Sequence, residues 1–329
     1  MKSQLLYLLL FAAFSNCTGQ QPFGADQLKL EKEIALPNVK GRIDHMAVDL
    51  KAKVLYMAAL GNNTVEVIDL NKGAVIKSIA GIEEPQGIAY IPEQNAIAVA
   101  SGRNGDCLFF NASTFKNIAT VHLGGDADNI RYDAAERKMY VGYGSGGMAM
   151  IDPVAHKQTG NVKLPAHPES FQLDKKNNKL YVNLADAHSI AVIDLKSFTV
   201  ADMWKISKYR ANYPMTLDTA NNLVIVGFRH PAVLVAYNAV KGSQISSNDL
   251  VDDVDDIFYY SQKEEILASG GGGSINLFRK DGSKYKLIGN VPSRDGARTS
   301  LLIPQLKLFA VAARAAEGKN AALLLYHLE

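Results

Sequence analysis

Short apolar runs, each closed by a polar turn, follow one another along almost the whole chain. One set ends in Asp or a substitute for it: Val65–Asp69, Cys107–Asn111, Met148–Asp152, Ile190–Asp194, Leu234–Asn238, Ile275–Arg279 and Leu323–His327. The ends are spaced by 42, 41, 42, 44, 41 and 48 residues, the last stretched by an insertion around Ala315–Asn320. A second set keeps the same period: Met46–Asp49, Ile88–Ile91, Ile130–Asp133, Phe171–Asp174, Met215–Asp218, Ile257–Tyr260 and Leu301–Pro304. About six residues after each comes a third run, such as Val54–Met57, Lys138–Val141 or Lys179–Val182. Every unit but the last also holds a fourth, such as Val75–Ile79.

Two independent landmarks with one period, each met seven times, identify a repeat protein. Four apolar runs in ~42 residues is the size of a propeller blade. Strands are favoured over helices by β-branched and aromatic content and by Asn, Gly and Asp turns at ~10-residue intervals. No window sustains a period of 3.6 residues. The expected fold is therefore all-β: a seven-bladed β-propeller with four antiparallel strands per blade. The last unit ends at Glu329 after only three strands. Residues 28–36 (Leu-Lys-Leu-Glu-Lys-Glu-Ile-Ala-Leu) precede the first full unit and are expected to supply the fourth. Such a closure would remove two open sheet edges.

The strands Lys138-Met139-Tyr140-Val141 and Lys179-Leu180-Tyr181-Val182, the turn Gly61-Asn62-Asn63-Thr64 and the strand Val65–Asp69 resemble the bacterial YVTN-type propeller repeat. Over about residues 28–329 the chain is similar to the YncE-like, seven-bladed, exported propellers. The resemblance implies architecture and export; it carries no catalytic residue. A single tryptophan, Trp204, leaves no Trp-Asp blade signature and no tryptophan per blade of the kind quinone-cofactor propellers use.

The chain has 329 residues, 47% hydrophobic and 21% charged, with a net charge of +2. That balance is ordinary for a globular protein. Without a basic run it gives no electrostatic footprint for nucleic acid. The N-terminus reads as an export signal over residues 1–19: Lys2, then an apolar stretch Leu5–Phe14, then small polar residues. The stretch is shorter than the ~20 residues a membrane span needs. Two processing outcomes stay open. Cleavage can follow Gly19, or Cys17 can be a lipid-attachment cysteine, although Phe14 and Asn16 depart from that motif. Residues 20–27 read as a linker and 28–329 as the propeller. The protein is expected outside the cytoplasm, periplasmic or lipid-anchored, and monomeric. Cys107 is the only other cysteine, in an apolar strand where a buried, inert thiol is expected.

In a propeller, residues just before each innermost strand converge on the central channel. Here they are far more polar than the strands they introduce. They nominate Arg42, Asp44, His45, Gln86, Asp128, Asn129, Glu169, Tyr213, Asp256 and Arg298 as a ligand-binding set, with Asp126, His167 and Asn212 close behind. Three readings fit. In the first, Arg42, Arg298 and His45 hold a small polar or anionic ligand or a partner protein. In the second, Asp44, Asp128, Glu169 and Asp256, with Asn129, offer hard oxygens to Ca²⁺ or Mg²⁺ for lactone or ester hydrolysis. In the third, Arg and Asp neighbours pair across a wet channel and stiffen it. Arg229-His230-Pro231 reads as a loop turn, Gly270–Gly273 as a hairpin rather than a phosphate cradle, and the acidic run Asp252–Asp256 as a solvated loop.

Overall fold

The computed structural model describes Gly24 and residues 28–329. The expected export signal, Cys17 and all of the linker but Gly24 lie outside the described residues. Seven four-stranded antiparallel sheets stand in a ring. Met46–Asp49, Val54–Ala59, Thr64–Asp69 and Ala74–Ala80 make blade 1, from the innermost strand outward. Blades 2 to 6 repeat that order over residues 85–122, 127–163, 171–205, 210–249 and 254–295. No α-helix occurs among the described residues, only three single 3₁₀ turns.

Blade 7 closes the ring as the missing strand requires. Its inner strands are Thr299–Ile303, Leu308–Ala313 and Ala321–Leu328, and its outer strand is Leu28–Leu36. The pairing is antiparallel, from Leu28 opposite Leu328 to Leu36 opposite Ala321. A bulge at Leu30–Lys32 interrupts it. Leu28, Ile34 and Leu36 are buried while the lysines and glutamates between them face out.

The apolar residues fall into seven clusters, and each straddles two neighbouring blades. Leu55 and Met57 of blade 1, for example, pack with Ile34, Ala310 and Leu323 of blade 7. No blade has a core of its own, so each depends on its neighbours. The tyrosines of the repeat fill these seams: Tyr56, Tyr140 and Tyr181 are fully buried. The Tyr181 hydroxyl donates to the Ala239 carbonyl of blade 5 at 2.8 Å. The Asp landmark also has a structural cause. Asp69, Asn111, Asp152, Asp194 and Asn238 each accept backbone N–H bonds from residues two or three further on, fixing the turn to the outer strand.

Candidate functional site

At one end of the channel the innermost strands lose their regularity. Register shifts fall between Pro85 and Ile88, Ala127 and Ile130, Asn212 and Met215, and Val254 and Asp256. In blades 1, 4 and 7 the strand begins only at Met46, Phe171 and Thr299, after the polar residues have passed. A bulge re-aims side chains that a regular pleat would send elsewhere. The result is that all seven blades turn polar groups into one cavity of about 280 Å³. Close backbone approach helps: a Cβ on Gly87 would lie 2.1 Å from the Asp128 carbonyl oxygen, so only glycine lets blades 2 and 3 meet there.

Nine of the ten residues nominated from sequence line this cavity, together with Asp126, His167, Ser170, Arg229 and Asp255. Asp256 does not. It borders a second cavity of about 360 Å³, with Arg131, Gln172 and Thr216. Its carboxylate accepts the Ser300 N–H at 2.7 Å. His45 borders both cavities and stands between them. Asn212 is buried but is engaged elsewhere, donating to Asn183 and to the Ser189 carbonyl.

Two segments read as a turn and a solvated loop, around Arg229 and over the acidic run Asp252–Asp256, belong to the site's framework. Arg229 is the seventh residue of a strand, Leu223–His230, rather than part of a loop. Its guanidinium lies 4.3 Å from the centre of the Tyr213 ring, and its Nε donates to the Val254 carbonyl at 2.8 Å. It also pairs with Asp255. Arg298 reaches both oxygens of Asp253 at 2.9 and 3.0 Å and contacts Asp255 at 3.3 Å. Part of the acidic run is therefore an ion-pair lattice. Arg42 adds a third pair, to Asp44 at 2.7 Å.

On the other side of the cavity, His167 carries a hydrogen bond from Nδ1 to the Gly144 carbonyl at 2.6 Å. Gly144 has φ +59°, and its N–H bonds the Gly125 and Asp126 carbonyls, which ties the blade 3 hairpin to the residues leading into the inner strand. His167 Nε2 faces Asp128 Oδ2 at 3.7 Å. Burial opposes the charged form of His167, but Asp128, the Gly144 carbonyl and Asp126 outweigh it and hold the pKa up at about 9. Asp128 is likewise penalised by burial, yet His167, His45 and Arg42 pull it below the usual carboxylate range. Burial and the Asp128 charge push Glu169 up to about 8. Its carboxyl makes no hydrogen bond or ion pair with the described residues. Two groups bring potential metal ligands within 4.8 Å of one another: Asp44, His45 and Asp128, and Asp128, His167 and Glu169.

No family model matches the chain. No curated protein matches it either. Solved structures share the fold. A chain in a crystal structure of a mitotic checkpoint complex superposes with a TM-score of 0.77 at 15% identity, covering 100% of this chain and 99% of that one. Hydrazine synthase from Kuenenia stuttgartiensis superposes with a TM-score of 0.75 at 13% identity, over 87% of this chain and 97% of that one. Likeness at such identity shows the seven-bladed architecture alone.

Proposed function

We propose that this propeller is an exported binding protein that takes a small polar ligand into the hub cavity. The observation that carries it is how the charges are arranged. Arg42, Arg229 and Arg298 are paired along the wall, so the lattice lines the cavity without filling it. A purely stiffening network would close that space with its own partners. Instead about 280 Å³ stays open, and the Glu169 carboxyl points no bond at protein. The size lies at the low end of the ~300–1,000 Å³ typical of small-molecule sites, which suits a compact ligand rather than a cofactor-sized one. Both donors and acceptors line the wall, so a molecule carrying both would satisfy it. The hydrolase reading gains nothing from the comparisons, which reach the fold alone.

The test is a thermal-shift panel of small polar compounds, including amino acids, hydroxy acids and sugar acids, on the mature protein. A binder at 100 times its Kd adds about 2.7 kcal/mol of stability and raises Tm by several degrees. Gln86→Leu and Arg298→Met should abolish that rise while the ring still unfolds cooperatively. If millimolar concentrations of every compound leave Tm unchanged, or if the response survives both variants, the hub is not the binding site.

A further inference from the structure

We propose that Asp128, His167 and Glu169 hold one divalent cation of the zinc–manganese class, and that this ion receives an oxygen of the hub ligand. The inference rests on reading the hub as a ligand site and adds what the ligand meets there.

The ligand types come first. The sequence alone pointed to carboxylates and so to Ca²⁺ or Mg²⁺. The fold separates Asp256 from the other acids and puts an imidazole among the rest. Nitrogen ligands disfavour the hard cations and favour the borderline divalent ions.

Orientation is the second and independent observation. A metal-binding histidine usually donates its other ring N–H to a backbone carbonyl or a carboxylate, which fixes the tautomer and aims the ligating nitrogen. His167 does this through Gly144, a residue outside the acidic set, at 2.6 Å. That bond leaves Nε2 as the nitrogen that an ion takes by displacing its proton. It faces Asp128 Oδ2 at 3.7 Å, too long for a direct hydrogen bond. Two ligands on one ion, each bonded at 2.0–2.2 Å, stand ~3.3 Å apart, so a shift of about half an ångström places an ion between them. Glu169 supplies the third ligand atom, within 4.8 Å of the other two, and makes no other polar contact with the described residues. Asp44 and His45 approach Asp128 from blade 1. Three protein ligands leave a coordination position open toward the cavity, the arrangement that lets an exogenous ligand bind.

The experiment uses the whole mature protein, stripped with a chelator and dialysed. Zn²⁺, Mn²⁺, Ca²⁺ and Mg²⁺ are each titrated calorimetrically, and Mn²⁺ binding is followed independently by electron paramagnetic resonance. We expect one Zn²⁺ or Mn²⁺ per chain with micromolar Kd or tighter, and Ca²⁺ and Mg²⁺ at least tenfold weaker. His167→Ala and Glu169→Gln should each weaken binding 10- to 100-fold. Asn111→Asp, at the end of blade 2 away from the cavity, should leave it unchanged. Circular dichroism of each variant separates loss of a ligand from loss of the fold. If His167→Ala unfolds the ring, His167→Gln takes its place, and anomalous scattering at the zinc edge locates the ion directly. A Kd of 1 mM or weaker in the wild type, equal affinity in the folded variants, or Ca²⁺ binding as tightly as Mn²⁺ would each overturn the proposal. The polar panel repeated in chelator keeps the two ideas apart: a hit that persists there while no ion binds sinks the metal and leaves the hub ligand standing.

Discussion

At the scale of single residues, most of the repeat's signature is turn chemistry. Asn111 illustrates it: its Oδ1 accepts the N–H groups of Ser113 at 3.1 Å and Thr114 at 2.9 Å. Asn111→Ala removes both bonds and is expected to cost about 1–2 kcal/mol, while Asn111→Asp keeps an acceptor and should cost far less. Urea titration reads this as a lower midpoint at unchanged slope. Arg279 and His327 break the pattern, and Arg279 pairs with Glu265 instead. Asp256 gives the pH counterpart. Burial raises its pKa to about 6, against about 3.9 in an unfolded chain. Between those values the folded state binds more protons than the unfolded one, so this group's contribution to stability falls as pH rises from about 4 to about 6. Asp256→Asn removes the slope, and near pH 7 the variant should be the more stable by on the order of 2 kcal/mol. Denaturation midpoints of both proteins from pH 3.5 to 7.5 check it: parallel curves would show that Asp256 is not the titrating group.

At the scale of the strand, what a reader of the sequence can see follows from how local its cause is. Strand positions and their number were legible because burial of alternate residues and Asx turns act within a few positions. The polar residues before each inner strand were legible for the same reason. The bulges were not, because a shift of register is decided by how one blade seats on the next. Asp255 and Asp256 show the consequence. They are neighbours in sequence, yet the register shift between Val254 and Asp256 turns one into the first cavity and the other into the second. Arg229 reads as a loop residue because its strand runs on to His230, beyond the four residues that recur in every unit. The aim of His167 depends on Gly144, 23 positions away on another blade, and no local pattern announces it.

At the scale of the molecule, the ring is held by seven equivalent seams, and one of them depends on Leu28–Leu36. Deleting residues 1–37 should leave Ala321–Leu328 with an unpaired outer edge and open the contact between blades 7 and 1. We expect loss of cooperative unfolding and association through the bare edge, seen by light scattering. A circular permutant that links Leu328 to Leu28 and opens the chain in the loop between blades 3 and 4 keeps every strand, and it should stay monomeric with one sharp transition. Association of that permutant, or a well-behaved truncated monomer, would show that the strand is dispensable.

The same pairing sets an order in time. Leu28–Leu36 leaves the ribosome almost three hundred residues before its partner Ala321–Leu328. Blades 1 to 6 can assemble as they emerge, but the closing strand has nothing to join until blade 7 has been made. A message cut short therefore yields an open spiral with two raw ends, easily told from the finished circle by any protease or chaperone that samples loose strands.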